Sequence, residues 1–322
     1  MQVKKYSPED SKLWDKFVRE SKNGNFHLER GFINYHDDRF ADHSLIVFDE
    51  NEPVALMPGN RIDKNYYSHS GLTYGGFLIL PSCRMTQFIG IAEVVFDYLK
   101  ANGFDKLIYK TIPYIYHQLP SEEDRHALFI AGAKVIKRDI LPVLDMRNRP
   151  EYQERRKRSI KKALNNNVLV KETPDLGSYW EIIDKLLLSY GTKPVHSLAD
   201  MNYLKTNFPE NIRLFAACNN EEMIAGVLVF ESVMVARSQY IAATETGKNS
   251  GALDLIFNHL FNNIYQNKRY FDFGTSTTYG GYKLNPGISD QKEGFGARSI
   301  VQDTYELDLS KWESGKYNSV IK

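Results

Sequence analysis

The stretch VKETPDLGSYW, residues 170–180, repeats the outline of VKKYSPEDSKLW, residues 3–14. In each stretch a Val-Lys pair precedes a hydroxyl residue and a proline, and a tryptophan follows six residues after the proline. Two later correspondences are Glu222–Ala225 with Glu52–Ala55 and Tyr270–Asp272 with Gly103–Asp105. A repeat of this length indicates two copies of one domain, because the units of solenoid proteins are far shorter.

The bulk composition is that of an ordinary globular chain. Its 322 residues suit two domains of about 150 residues each. A net charge of +1 gives no global attraction to nucleic acid or to an anionic membrane. The first residues lack the apolar core of a signal peptide, and we find no apolar run of membrane-spanning length. Cys83 and Cys218 show no metal-ligand spacing. We therefore expect a cytoplasmic protein with no metal and no membrane insertion.

Hydrophobic periodicity predicts the same order of elements, β-α-α-β-β-β-α-β-loop-β, in both halves. The strands of the first half are expected at 3–6, 44–49, 53–62, 66–79, 106–110 and 134–145, and its helices at 8–21, 29–39 and 84–101. The strands of the second half are expected at 169–172, 212–218, 223–230, 233–244, 270–274 and 299–309, and its helices after Pro174, after Ser197 and over 252–266. The predicted division is 1–146 for the first domain, 147–166 for a basic connector helix and 167–322 for the second domain.

Several motifs of the second half, together with this order, carry a family resemblance. They are Gln239-Tyr240-Ile241-Ala242 with Gly251-Ala252-Leu253-Asp254, then Asp272–Ser276, Leu284–Gly287 and Gln291–Gly296. The chain resembles the GNAT superfamily of N-acyltransferases, and its duplication resembles the FemAB-like branch, which includes peptidoglycan aminoacyltransferases and acetyltransferase-like relatives. The resemblance implies an α/β (α+β) fold of two tandem GNAT-like domains, each a mostly antiparallel, splayed mixed sheet flanked by helices. The long two-helix arm of some peptidoglycan aminoacyltransferases is missing.

The resemblance also implies where an acyl donor binds. In the superfamily, the sheet opens after the fourth strand, and the loop before the next helix holds the donor's pyrophosphate on backbone N–H groups. Only the second half keeps glycines there, which places the donor in the second domain; an ordinary helix-capping turn is the alternative. The expected donor-binding residues are Gln239, Ile241, Ala242, Gly247, Lys248 and Gly251.

Amide formation needs a neutral amine, a base for its proton and donors for the oxyanion. The backbone of 239–242 would polarise the carbonyl, Tyr240 or Tyr282 would protonate the leaving group, and Glu293 or Asp272 would be the base. The expected acceptor-binding residues are Tyr74, Lys110, His117, Arg156, His196, Ser276, Asn285 and Lys292. No nucleophile elbow, phosphate-binding P-loop or dinucleotide fingerprint appears in the sequence.

The basic cluster 155–162 holds one cation in an unusual phase. As a helix, it places Arg155, Arg158 and Lys162 toward water and Arg156 one turn before the apolar Ile160. An inward guanidinium needs a carboxylate or an anionic ligand. We expect Arg156 to meet one of these between the domains; a solvated connector helix is the alternative.

These features predict an acyltransferase that moves an acyl group, acetyl from acetyl-CoA or another acyl-CoA, to an amine of a nucleotide-linked cell-surface sugar precursor. The first alternative is transfer of an amino acid from aminoacyl-tRNA to a peptidoglycan precursor. The second is a module that binds sugars or nucleotide sugars without catalysis. No DNA partner is expected.

Overall fold

The computed structural model describes residues 1–319, which belong to two compact units. Unit 1 comprises 1–139, 279–282 and the residues from 301 on, and unit 2 comprises 140–278 and 283–300. The strands are β1 (Gln2–Lys5), β2 (Leu45–Asp49), β3 (Glu52–Met57), β4 (Asn60–Ile62), β5 (Asn65–Tyr67), β6 (Leu78–Ile79), β7 (Lys106–Lys110), β8 (Lys134–Asp145), β9 (Leu169–Thr173), β10 (Ile212–Asn219), β11 (Glu222–Glu231), β12 (Val235–Ala243), β13 (Tyr270–Asp272), β14 (Thr277–Thr278), β15 (Lys283–Leu284) and β16 (Arg298–Asp308). The helices are α1 (Ser11–Glu20), α2 (Arg30–Ile33), α3 (Met85–Ala101), α4 (Glu123–Ala131), α5 (Glu154–Asn165), α6 (Leu176–Leu188), α7 (Leu198–Asn207), α8 (Glu245–Ser250), α9 (Ala252–His259) and α10 (Pro286–Glu293).

Unit 1 forms around the long helix α3. Strands β1, β2, β3 and β6 make one antiparallel sheet, and β5 and β16 lie on either side of β7. The apolar face of α3, with Phe88 and Phe96 fully buried, packs into this core. Trp312, which follows β16, closes it with its ring 5.2 Å from that of Phe96.

The strand predicted over 66–79 is interrupted in the structure. It becomes β5 and β6, and the residues between them form a loop. The reason is close backbone packing, because a Cβ on Gly75 would lie 1.8 Å from the Ser68 carbonyl oxygen. Gly76 has φ +107°, and a Cβ there would meet the Tyr109 hydroxyl at 2.3 Å. Glycines at such approaches end regular strand pairing.

Unit 2 is built on a six-strand sheet in the order β8-β13-β12-β11-β10-β9. The pair β12–β13 is parallel and the other pairs are antiparallel. Helix α9 covers one face of the sheet, and its buried Ile256 and Phe257 belong to the core. Helix α5 packs against α9, while α6 packs against β11 and β12.

The mixed α/β fold with a large, mostly antiparallel sheet flanked by helices agrees with the prediction, but the units follow other bounds. Strand β8, expected to close the first half, pairs with β13 in unit 2 over Val143–Asp145. Strand β16, expected to close the second, pairs with β7 in unit 1 over Thr304–Asp308. The basic helix α5 belongs to unit 2. Local periodicity predicts a strand but not the strand with which it pairs. The pairing of β8 with β13 and of β16 with β7 therefore could not be predicted from it.

Candidate active site

The sheet of unit 2 opens between β12 and β13. The two strands pair only where Val235–Arg237 lies beside Tyr270–Asp272. Beyond that point β13 ends, whereas β12 continues to Ala243. On this side the remaining backbone of β12 therefore faces an opening, and alternate N–H and C=O groups of such an edge are available to a ligand.

A β-bulge lies at this opening. Leu228 pairs with Tyr240 and Val229 pairs with Ser238, so Gln239 is an extra residue in β12. A bulge bends the strand and re-aims the side chains around it. The buried Oε1 of Gln239 has no hydrogen-bond partner in the described structure.

A cavity of about 800 Å³ occupies the opening. We call it the acyl cavity, after the acyl arm of the donor that the resemblance noted from the sequence implies at such an opening. Its lining residues are Leu186, Tyr190, Arg237, Ser238, Gln239, Ile241, Ala242, Ala243, Lys248, Leu253, Phe257, Phe273, Gly274, Thr275, Asn285, Gly287, Ile288, Gln291, Lys292 and Phe295. Its inner wall is aromatic, because Phe257 lies 5.1 Å from Phe273 and 5.3 Å from Phe295 between ring centroids. A mostly apolar cavity with a few polar groups is the usual form of a small-molecule site.

An ion pair fixes the vertex where β12 and β13 part. The side chain of Asp272 is fully buried, and its Oδ2 accepts a hydrogen bond from Nη1 of Arg237 at 2.7 Å. Its Oδ1 accepts the backbone N–H of Gly274, also at 2.7 Å. Both carboxylate oxygens are therefore engaged, and Asp272 holds Arg237 and the turn at Gly274 in place.

Lys292 brings a buried amine to the acyl cavity. Asn285 caps α10 by accepting the N–H of Ile288, and Lys292 lies in the last turn of that helix. Its Nζ donates to the carbonyl oxygens of Gly274 at 2.9 Å and Thr275 at 2.7 Å. Burial lowers the pKa of the Lys292 ammonium to about 8, although Asp272 opposes the shift and raises it.

That geometry suits two chemical roles. A neutral amine has two N–H groups and one lone pair, so two N–H···O=C bonds leave the lone pair for a proton. A protonated Lys292 keeps a third N–H that can donate to an oxyanion. A pKa near the working pH allows one side chain to alternate between the two forms.

The other predicted catalytic residues, Glu293, Tyr240 and Tyr282, lie elsewhere and make other contacts. Glu293 accepts a hydrogen bond from the Ser289 hydroxyl at 2.7 Å. The Tyr240 hydroxyl accepts the backbone N–H of His196 at 3.2 Å and lies 2.8 Å from its Nδ1. Tyr282 is 89% exposed and is grouped with unit 1. None of the three is among the described lining residues of the acyl cavity.

The predicted donor loop is a helix. Residues 245–250 form α8, where Thr244 caps the N–H of Gly247 at 3.1 Å. A Cβ on Gly247 would lie 2.1 Å from the Ile224 carbonyl oxygen, and one on Gly251 would lie 2.5 Å from that of Ser159. Close packing therefore accounts for both glycines, and their presence alone does not indicate a phosphate loop. Gln239, Ile241, Ala242 and Lys248, also expected to bind the donor, do line the acyl cavity.

A second cavity, of about 470 Å³, adjoins α8 and shares lining residues with the acyl cavity. Arg156 lies at its edge and donates from Nη1 to the buried Asp254 at 2.7 Å. The inward phase predicted for Arg156 is thus matched by a carboxylate within unit 2. Arg155, expected to point to water, instead pairs with Asp290.

The predicted acceptor residues are divided between the two units. Tyr74, Lys110 and His117 belong to unit 1, where Tyr74 is buried against His27 and Nζ of Lys110 donates to the Leu72 carbonyl. Burial lowers the pKa of His117 to about 4. In unit 2, the buried His196 contacts Tyr240, and Ser276 is 2% exposed with no hydrogen-bond partner in the described structure for its Oγ. Asn285 and Lys292 line the acyl cavity.

Arg237 and Tyr190 are among the lining residues that were not predicted from the sequence. Arg237 is the one charged residue of β12, and a charge within a largely buried strand signals a buried partner or a ligand. Tyr190 stands just beyond α6 and gives no local signal, because only the fold brings it to the cavity.

Comparison with known proteins shows the fold. No family model matches the sequence, and no curated protein matches it. Among solved structures, FemX matches with a TM-score of 0.68 at 9% identity, covering 100% of both chains. L-PGS from Bacillus licheniformis matches with a TM-score of 0.60 at 11% identity, covering 99% of this chain and 96% of that one. A conserved protein of unknown function from Bacteroides thetaiotaomicron matches with a TM-score of 0.63 at 10% identity, covering 95% and 99%.

The chain therefore shares the overall fold of FemX and of these two other structures. At these identities the likeness concerns the fold alone. Among the described residues, no helix is long and apolar enough to cross a membrane. The same residues hold no group of three or more His, Cys, Asp or Glu side chains arranged to bind a metal ion.

Proposed function

We propose that the protein is an N-acyltransferase that moves an acyl group from an acyl-CoA to an amine of a nucleotide-linked sugar precursor of the cell surface. The observation that carries the proposal is Lys292, a buried amine held by two backbone carbonyls inside the opening of a GNAT-type sheet. The fold supports acyl transfer in general, and the cavity supports a donor with a slender acyl arm.

The donor arm would lie along the edge of β12 that faces the opening. Its carbonyl would reach the bulge at Gln239, where backbone N–H groups polarise it. Its phosphates would lie in the adjoining cavity, which is lined by Arg155, Arg156, Lys248 and Ser159. Side chains rather than a glycine loop would then hold the anion.

The reaction would proceed by direct transfer. The lone pair of the acceptor amine attacks the thioester carbon, and Lys292 takes the proton that the amine loses. The tetrahedral intermediate collapses, the C–S bond breaks, and the thiolate recovers a proton from the Lys292 ammonium. In this role Asp272 is a positioning residue, because both of its oxygens are already engaged. Thr275 and Asn285, at the same cavity, would contact the acceptor.

A second candidate is transfer from aminoacyl-tRNA. It is favoured by the full-length likeness to FemX and by the exposed side chains of Lys157, Arg158, Lys161 and Lys162 on α5. Such a strip suits a nucleic-acid backbone, and binding would weaken steeply with salt. Lys292 would remain the proposed general base.

The test is thiol release from acyl-CoA in the presence of a panel of free and UDP-linked amino sugars. With the unmodified protein, we expect kcat/KM to rise with pH, to reach half its maximum near pH 8, where half of Lys292 has lost its proton, and to level at higher pH. Lys292→Met should lower kcat by about 100-fold or more, the usual contribution of a general base. Lys193→Met, at an exposed lysine, is the matched control and should leave kcat unchanged. Equal rates for both variants would refute the role of Lys292.

A salt-dependent mobility shift with charged tRNA separates the two donors. Binding of acyl-CoA without binding of tRNA supports the first candidate. The reverse result supports the second.

A further inference from the structure

The mouth of the acyl cavity carries apolar side chains that the protein leaves open to solvent. Leu186 comes from the last turn of α6, Tyr190 follows two residues after that helix, and Ile288 comes from α10. Tyr190 is 70% exposed and Ile288 is 42% exposed. We name these three residues the apolar rim.

The rim continues into the apolar interior of the same cavity. Ile241 and Leu253 line it and are only partly buried, and the aromatic wall around Phe257 lies behind them. Apolar surface at the mouth and along the wall of one cavity favours an occupant that covers both. Such an occupant is extended and apolar.

We propose that the rim and the wall hold an acyl chain longer than acetyl, which makes the donor a medium-chain acyl thioester. This rests on the proposed function and narrows its substrate class. The acyl group is the part of the two reactants that needs no polar atom beyond its carbonyl, whereas a sugar acceptor presents hydroxyls. The cavity's polar side chains Arg237, Thr275 and Lys292 suit the carbonyl and the amine. The single methyl of an acetyl group would leave the rim exposed.

The expected gain follows from the area that the chain would cover. Full burial of a methylene is worth about 0.8 kcal/mol, which is roughly a fourfold change in Kd. Because the rim stays partly open, we expect about twofold per methylene, so hexanoyl-CoA should bind about 16-fold more tightly than acetyl-CoA.

Calorimetric titration of the full chain with CoA, acetyl-CoA, butyryl-CoA and hexanoyl-CoA provides the test. Ile288→Ser should remove most of the gain from acetyl to hexanoyl and leave the Kd of CoA itself unchanged. Leu188→Ser is the matched control, because Leu188 is 75% exposed on the same helix as Leu186 but is not among the lining residues. It should leave the whole series unchanged.

The outcomes separate this inference from the proposed function. If CoA and acetyl-CoA bind but hexanoyl-CoA binds no more tightly, the inference is overturned and the CoA donor stands. If CoA fails to bind, the comparison is repeated with acetyl and hexanoyl thioesters of N-acetylcysteamine, which carry no phosphate. A chain-length gain that Ile288→Ser removes then supports the inference without CoA, and the lack of such a gain overturns it.

Discussion

Replacement of Asp272 by asparagine tests the ion pair at the vertex of the open sheet. The change keeps the shape of the side chain and removes its charge. Asparagine can still accept the Gly274 N–H through its carbonyl, but its NH2 group would then face the N–H groups of Arg237. The guanidinium, whose side chain is only 13% exposed, would lose its buried carboxylate partner.

The magnitude follows from burial. Removal of one partner of a buried pair costs about 3–5 kcal/mol, because the remaining charge is uncompensated. With a urea m-value of about 3 kcal/mol/M, the midpoint of the unit 2 transition should fall by about 1–1.7 M. Far-UV circular dichroism during urea titration measures it. Asp290→Asn is the control, since that aspartate is 54% exposed in its pair with Arg155, and an ion pair open to solvent contributes little to stability. Equal midpoints for the two variants would refute the argument.

The same variant distinguishes a positioning role from a catalytic one. The negative charge of Asp272 raises the pKa of Lys292, so its removal should lower that pKa further. The rising limb of kcat/KM against pH should therefore move to lower pH while turnover persists. If Asp272 were itself the base, turnover would vanish at every pH. That result would assign the base to Asp272, one of the two candidates, with Glu293, that the sequence offers.

Three further predictions concern stability. Gly251 has φ +84°, and a Cβ there would lie 2.5 Å from the Ser159 carbonyl oxygen. Gly251→Ala should therefore lower the free energy of unfolding by roughly 2–3 kcal/mol without any ligand. Gly191→Ala, at φ +68° in open space, should cost about 1 kcal/mol in the same urea titration. Arg156→Met should cost about 3 kcal/mol by leaving a buried carboxylate unpaired, and the loss should shrink when that carboxylate is also made neutral in a double-mutant cycle. Burial lowers the pKa of His69 to about 3, whereas a histidine in the unfolded chain has a pKa of about 6.5. The native state therefore binds fewer protons and loses stability as the pH falls below about 6.5. His69→Asn should reduce the measured slope of the free energy of unfolding against pH by up to about 1.4 kcal/mol per pH unit.

The sequence predicts those features that depend on local spacing. The order of strands and helices follows from periodicity, and the helical phase of Arg156 alone indicates an inward charge with a partner. The partner itself, Asp254, is about a hundred residues away in the chain, and no local pattern names it. Likewise Tyr190 reaches the acyl cavity only because α6 packs against β12.

The remaining differences arise where backbone packing decides the local structure. The glycines at 247 and 251 look like a phosphate loop in the sequence, but in the structure each fits against a carbonyl oxygen. Lys292 and Glu293 are adjacent, and from the sequence we expect Glu293 to be a candidate base and Lys292 to contact the acceptor. In the structure Lys292 reaches the acyl cavity, whereas Glu293 bonds to Ser289. Orientation about a helix axis separates the two, and that orientation is set by tertiary contacts.

The two halves also differ in the strand on which the proposed acyl transfer depends. In unit 2, β12 is continuous for nine residues and leaves an open edge beyond Arg237. In unit 1, the corresponding segment is broken, and side chains occupy its pairing groups. The Asn23 amide donates to the Phe77 carbonyl at 2.8 Å and accepts the Ile79 N–H at 3.2 Å, while the Tyr109 hydroxyl accepts the Phe77 N–H at 2.8 Å. Backbone groups that are already satisfied cannot polarise a thioester. The proposed chemistry therefore belongs in unit 2, and unit 1 keeps the fold without an open fourth strand.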